Sequence, residues 1–404
     1  MSSPIRLGVI GYGERARHMV RIMRSQDPNV SLAAIADPQC DSIAAKLHDD
    51  GRVGDDVHLY KTADEMLDAE ALDGVVIGTR CSLHAAMAVK VLARDIALFL
   101  EKPVATTMPD LLALRAASSP RVVVSFPLRL SPLAQLAREI IDSGKIGTVE
   151  HVQAWNNVPY GNVYFQTWYR DETETQGLFL QKATHDFDYI NFLLAGNRPV
   201  AISAMTSKQI FKGTHPAGLK CMDCAEKKTC FESPYHPSRS APLALDMPAK
   251  EMCAFAVDTG NEDSGSALIQ YASGMHVVYS QNFFARNKAA KRGATLLGYK
   301  GTIEFDWFTN ELKVFQHHSP HVETHTFDNN AIHGGGDEVL ATNFLAVIRG
   351  ESESVSPMEE GLLNTLMCLK AKESAATHQF QQIQWPSENI VQETLRERDL
   401  IRRG

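Results

Sequence analysis

Residues 181–188 read QKATHDFD, a lysine, an imidazole and two carboxylates set between apolar runs. Leu178, Phe179 and Leu180 precede them, and Tyr189, Ile190, Phe192, Leu193 and Leu194 follow. On a helix, positions three and four apart are neighbours, so Gln181, Lys182 and His185 share a side that Asp188 continues. In a buried element such groups shift one another's pKa values, which suits them to proton transfer. A second lysine, Lys102, sits in Glu101-Lys102-Pro103 directly after an apolar strand. Ordinary lysine ionises near pH ~10.4, so a lysine base at neutral pH must be tuned downward by its neighbours. Such tuning is expected of Lys102.

The elements that must position these residues begin at the N-terminus. A buried strand from Ile5 leads into Gly11-x-Gly13-x-x-Ala16 and an amphipathic helix. Gly11 permits the tight turn, Gly13 lets backbone approach a pyrophosphate, and Ala16 allows close helix–strand packing. The next strand, SLAAIADP, ends at Asp37, placed for the adenosine ribose hydroxyls. No arginine stands beside Asp37 to hold a 2′-phosphate, which points to NAD. Apolar strands at 57–60, 74–78 and 96–100 alternate with helices at 63–67 and 82–93, the rhythm of a doubly wound parallel sheet. Ligands in such sheets bind beyond the carboxyl ends of the strands, so Lys102 is expected at the cofactor crevice.

From about Val122 a second domain is expected. NNVPYGNVYFQTWYR, with Tyr160, is rich in the amide and aromatic side chains that suit sugar recognition. Paired strands follow in SGSALIQYASGMHVVYSQNFFA and ATLLGYKGTIEFDW, then ELKVFQHH, giving a mostly antiparallel sheet. Before these strands Cys221, Cys224 and Cys230 form a compact thiol cluster that predicts a structural Zn2+. The fourth ligand is Cys253 or His236, with Cys253 preferred. His317, His318, His321 and His325 lie in a polar strand-turn-strand and read as a rim or plain surface. His333, in AIHGGG before a helix, is placed to meet a substrate anion or hydroxyl.

Bulk properties bound the possibilities. A chain of 404 residues, 44% hydrophobic and 22% charged, supports two or three domains of ordinary globular kind. A net charge of -8 argues against nucleic acid as a partner. No apolar run approaches the roughly 18 residues a membrane helix needs. Seven cysteines, an odd number, fit a reducing compartment, so the cytoplasm is expected.

The order GYGERA, Asp37, IGTRCSLH, EKPVATT and QKATHDFD resembles the Gfo/Idh/MocA superfamily of nicotinamide-dependent oxidoreductases over nearly the whole chain. The resemblance implies an α/β protein: an N-terminal Rossmann domain (1–124) with a doubly wound parallel sheet, then a C-terminal α/β domain (125–375). The second carries a large, mostly antiparallel open sheet that supports homodimers or tetramers, and a tail (376–404) follows. Cofactor contacts are implied for Gly11, Tyr12, Gly13, Glu14, Arg15 and Asp37, and for Thr79, His84, Glu101 and Lys102. Trp168 and Arg170, in TWYRD, match a pattern near the nicotinamide. Catalysis falls to Lys102 and His185, and substrate binding to these with Tyr160, Gln181, Lys182 and His333. Many members carry an aspartate where this chain has Gln181, so Lys182 is the residue to take over proton transfer.

The implied substrate is a sugar or glycoside that loses hydride from a ring hydroxyl. A simple dehydrogenase releases ketone and NADH. A redox-neutral NAD-dependent glycosidase oxidises C3, removes the C2 proton, expels the aglycone, adds water and reduces the ketone again, and Lys182 is a candidate C2 base. A silent NAD- or sugar-binding regulator is a third possibility, against which the intact EKP and His185 argue.

Overall fold

The runs Gly74–Ile77, Ala97–Leu100 and Val122–Val124 carry no polar side chain and are buried throughout, the pattern of strands covered on both faces. They belong to the first of two units into which the chain folds: Met1–Ser131, Asn330–Leu366 and Trp385–Gly404, against Pro132–Asn329 and Met367–Gln384. The computed structural model describes residues 4–49, 56–238, 252–328 and 332–387.

The first unit runs β1 (Ile5–Ile10), α1 (Glu14–Gln26), β2 (Val30–Ala36), α2 (Cys40–Asp49), β3 (His58–Tyr60) and α3 (Ala63–Ala69). It continues with β4 (Gly74–Ile77), α4 (His84–Leu92), β5 (Ala97–Leu100), α5 (Met108–Ala116) and β6 (Val122–Val124). All strands are parallel, in the order β3-β2-β1-β4-β5-β6. The order reverses between β1 and β4, the point where such sheets open a ligand crevice beyond their carboxyl ends. Local signals agree with the fold. Thr62 and Glu65 form a capping box on α3, and Thr107 caps α5.

The second unit holds α6 (Pro132–Asp142), β7 (Val149–Asn157), α7 (Val163–Gln166), α8 (Glu172–Thr175), α9 (Thr184–Leu193) and β8 (Pro199–Ser207). It continues with β9 (Ser264–Tyr271), β10 (His276–Asn282), β11 (Lys291–Gly298), β12 (Gly301–Asp306), β13 (Glu311–Gln316) and β14 (Val322–Thr326). After α10 (Gly336–Arg349) in the first unit, α11 (Met358–Thr377) leads to β15 (Gln381–Gln382) in the second. The nine strands order β14-β13-β12-β11-β7-β10-β9-β8-β15 and are antiparallel except for β7 with β10. On β9 and β10 burial alternates strictly. Ala267, Ile269, Val277 and Tyr279 face inward, while Ser266, Leu268, Val278 and Ser280 face out.

Two expectations are corrected. Residues 330–366, placed with the second domain by the sequence, belong to the first unit, where α10 packs against α1 and Phe344 meets Phe99. The expected helix over 181–188 is not uniform: Phe179–Ala183 is π-helical and α9 begins only at Thr184. The wider turn starts where the Leu178 and Phe179 amides both donate to the half-buried Glu262 carboxylate, at 2.8 and 3.0 Å. π-turns of this kind are frequent at functional sites. Of the expected tail, β15 pairs with β8, while residues 388–404 lie outside the described residues.

Candidate functional site

In the first unit the turn after β1 is built for a dinucleotide. Gly11 holds φ +80°, and a Cβ there would lie 2.8 Å from Thr79 backbone. Gly13 is different: a Cβ there would meet only the Gly78 carbonyl, at 3.7 Å, so the protein itself leaves that space open. It lies at the N-terminus of α1, where Gly13 is the N-cap and supplies no side-chain cap. Uncapped N–H groups beside open space are what a pyrophosphate takes. Ala16 fills the far side; a Cβ at Gly78 would come within 2.8 Å of the alanine methyl. The Asp37 carboxylate, beyond β2, accepts from the Tyr12 and Gln39 amides (3.0 and 2.9 Å), which fixes it at the crevice with lone pairs to spare. These residues fit NAD: Gly11 to Arg15 for the pyrophosphate turn and Asp37 for the ribose.

Several polar residues of the same unit hold the architecture. His84 is buried with Nδ1 2.8 Å from the Pro103 carbonyl and Nε2 3.2 Å from that of Thr79. Burial lowers its pKa despite these carbonyls, so the neutral ring has one N–H to donate, and the shorter contact ties His84, at the start of α4, to the turn bearing Lys102. Arg15 donates to Glu101 (2.8 Å), to both Asp337 oxygens (2.8 and 2.6 Å) and to Ser125 (2.9 Å). Burial would raise the Asp337 pKa, but Arg15, His18 and His333 hold it well below the carboxylate range. The charged ends of Arg15 and Glu101, expected to meet cofactor, thus meet each other. His333, at φ 52°, turns its Nδ1 to Asp337 at 3.0 Å. Glu14 pairs with Arg17 at 2.7 Å, and Thr79 is half-buried.

The second unit gathers the chemistry expected of QKATHDFD. Gln181, Lys182, His185, Asp186 and Asp188 are all buried. Lys182 Nζ lies 2.7 Å from the Tyr160 hydroxyl. Burial, then the Arg292 guanidinium, lowers the Lys182 pKa from 10.5 to about 7, with Asp186 opposing. Lys182 is therefore a lysine tuned toward neutrality. Tyr160 is held by its neighbour, because a Cβ at Gly161 would stand 2.0 Å from the Phe283 carbonyl. Only glycine lets the chain pass that close.

Beneath Lys182 lies a network absent from the sequence reading. Asp186 Oδ1 accepts from Arg292 Nε and pairs with Nη2 (2.8 and 2.7 Å), and Oδ2 accepts from Asn156 and Tyr279 (both 2.7 Å). Asn156, Tyr279 and Arg292 stand on the inward face of three adjacent strands, β7, β10 and β11. A carboxylate out of water is tolerable only with hydrogen bonds to both oxygens and a paired charge, as Asp186 has here. No spacing rule links Asp186 to Arg292, which lies 106 residues away; the one available hint was a second acid beside the histidine. Arg170 is taken by Asp258 at 2.5 Å and Trp168 stacks on Tyr169, both within this unit.

Cys221, Cys224, Cys230 and Cys253 line one cavity of about 390 Å³. Among the described residues, no three His, Cys, Asp or Glu side chains are drawn together as a metal cage. His236, the alternative ligand, stands apart from this lining and bonds Ser238. His321 and His325 lie 3.6 and 3.8 Å from Glu323, which Lys145 also binds, on the polar β13–β14 side. No helix among the described residues is long and apolar enough to cross a membrane.

Comparison with known proteins agrees with this geometry. Residues 5–125 match the oxidoreductase family, NAD-binding Rossmann fold, and residues 134–304 the GFO/IDH/MocA C-terminal domain. YteT of Bacillus subtilis is 28% identical over 314 residues, 69% of this chain and 73% of its own. Inositol 2-dehydrogenase of Rhizobium meliloti is 28% identical over 220 residues, 53% of this chain and 62% of its own, so the chain spans less than two thirds of that relative. The structure of levoglucosan dehydrogenase with NADH and levoglucosan superimposes with a TM-score of 0.73 at 19% identity, covering 94% of this chain and all of that one.

Proposed function

The chain belongs to the GFO/IDH/MocA family of NAD-binding oxidoreductases, and on that footing we propose that it oxidises a secondary ring hydroxyl of a sugar or cyclitol. The observation that carries this reading is the Lys182–Tyr160 pair, a buried amine with a pKa of about 7 bonded to a phenol. Inositol and levoglucosan, named in two relatives, belong to the proposed substrate class. NAD, when bound at the glycine turn, supplies the hydride acceptor.

The chain's own groups supply the rest. Lys102, at the carboxyl end of β5, takes the proton of the hydroxyl that is oxidised. His185, Gln181 and Tyr160 hydrogen-bond ring hydroxyls, and Lys182 takes up or returns a proton through Tyr160. A site that leaves its buried polar groups unpaired when a hydroxyl is missing discriminates strongly among polyols. Lys182 also favours a second reading, the redox-neutral glycosidase. A base distinct from Lys102 is what removal of the C2 proton requires once C3 is oxidised.

A panel of free cyclitols, free sugars and chromogenic glycosides, with NADH and aglycone followed together, tests the proposal. NADH formed with a polyol and abolished in Lys102→Ala supports the dehydrogenase. Aglycone released over many turnovers without NADH supports the glycosidase. NAD binding with silence in both channels overturns both and leaves the regulator.

A further inference from the structure

Residues 208–263 connect β8 to β9, and their described part holds no strand or helix beyond the three-residue turn Cys221–Asp223 and two isolated bridges. Their apolar support is a small cluster in which Phe211 and Ala254 meet Val158, Val163, Phe165 and Phe283. Long connections of this kind need something besides a core to hold one shape. All four cysteines of the segment point into one cavity.

The backbone delivers them there in an ordered way. Cys221 and Cys224 flank a tight turn closed by the Cys224 amide on the Cys221 carbonyl (3.3 Å). Cys230 follows on a turn fixed by its own amide to the Glu226 carbonyl (2.9 Å). Cys253 arrives from the other strand of a bridge between Lys220 and Met252, its amide on the Leu219 carbonyl at 2.8 Å. A fifth polar group is already aimed at sulfur: Gln166 Nε2 donates to Cys221 Sγ at 3.5 Å. An N–H directed at a ligand sulfur is the outer-shell partner that steadies a metal-bound thiolate.

We propose that this cavity takes one Zn2+ through Cys221, Cys224, Cys230 and Cys253, as a structural site. Sulfur donors from a CxxC turn and two further cysteines are a donor set that selects zinc, and four thiolates would complete its coordination with no open position for chemistry. Binding forms four Zn–S bonds and releases the thiol protons to solvent, which ties affinity to pH and to folding of the segment.

The site has a mechanical consequence. Gln166, the last residue of α7, accepts from the Met252 amide (3.2 Å) and donates to the Glu232 carbonyl (2.9 Å) as well as to Cys221. A zinc cage would therefore clamp the end of α7, the helix that follows Tyr160.

Metal analysis of the purified protein, followed by stripping under reducing conditions and titration with Co2+, tests this without reference to activity. The expected results are one zinc per chain and, after titration, the thiolate-to-cobalt charge-transfer and tetrahedral d–d bands. Both disappear in Cys224→Ser and Cys253→Ser and persist in Cys368→Ala, whose thiol lies elsewhere. Should the serine variants fail to fold, the stripped wild type decides: its Tm falls and Zn2+ restores it. No metal and no cobalt band in the reduced wild type, bands that survive both serine variants, or a Tm indifferent to stripping would overturn the proposal.

Discussion

A lysine ammonium taken out of water loses much of its hydration, and Lys182 answers by giving up its proton near pH 7. The reaction direction that removes a hydroxyl proton should therefore speed up as pH rises through about 7. Lys182→Met should lose that limb and about 10²–10⁴-fold in rate, measured as a pH–rate profile. Stability carries the same signature with a defined sign. Between about 7 and 10.5 the unfolded chain holds a proton on Lys182 that the native state does not, so this group makes native stability rise with pH. Lys182→Met removes the slope. The variant should gain on the wild type as pH falls from about 10.5 to 7, reaching about 2–5 kcal/mol and levelling off below, as read by urea unfolding. Asp186→Ala acts oppositely. It leaves the Arg292 guanidinium buried without its acid and should cost about 3–5 kcal/mol in the same measurement.

At the level of elements, the turn between β1 and α1 separates folding from binding. Gly13→Ala meets only the Gly78 carbonyl at 3.7 Å, so stability should change by no more than about 1 kcal/mol. NAD affinity should fall about tenfold or more, because the methyl occupies the pyrophosphate's space. Gly11→Ala should harm both, since it strains a φ of +80° and strikes Thr79 backbone. Thermal unfolding beside NAD titration distinguishes the two. These elements were legible in the sequence because glycines, alternation and apolar runs are local signals. The strands from Ile5 to Leu100 and the helices α1, α3 and α4 agree with the expectation, as do the paired strands of the second unit, while α2 was not foreseen. The π-turn at Phe179–Ala183 was not legible, since it begins on Glu262, 83 residues further along the chain. Nor was the Asp186–Arg292 pair, or the return of α10 to the first unit, for both depend on contacts between distant stretches. Lys182 and Tyr160 were each singled out by type, but their bond is tertiary.

For the whole molecule, the outward face of the nine-stranded sheet carries Leu268 (46% exposed) and Val278 (37%) on paired strands β9 and β10. Exposed apolar side chains on the open face of a large sheet favour self-association. We expect a homodimer or tetramer by sedimentation, dissociated by Leu268→Glu with Val278→Glu while the folded circular-dichroism spectrum is kept. The central step of the proposed reaction is hydride leaving a ring carbon of a polyol. The most direct measurement mixes the protein and NAD with cyclitols and sugars deuterated at the carbinol carbons, and locates the label by mass spectrometry after a single turnover. Deuterium on the nicotinamide ring, absent in Lys102→Ala, is the predicted result. NAD bound at the glycine turn with the label retained by every substrate, or exchanged only into solvent, would contradict it.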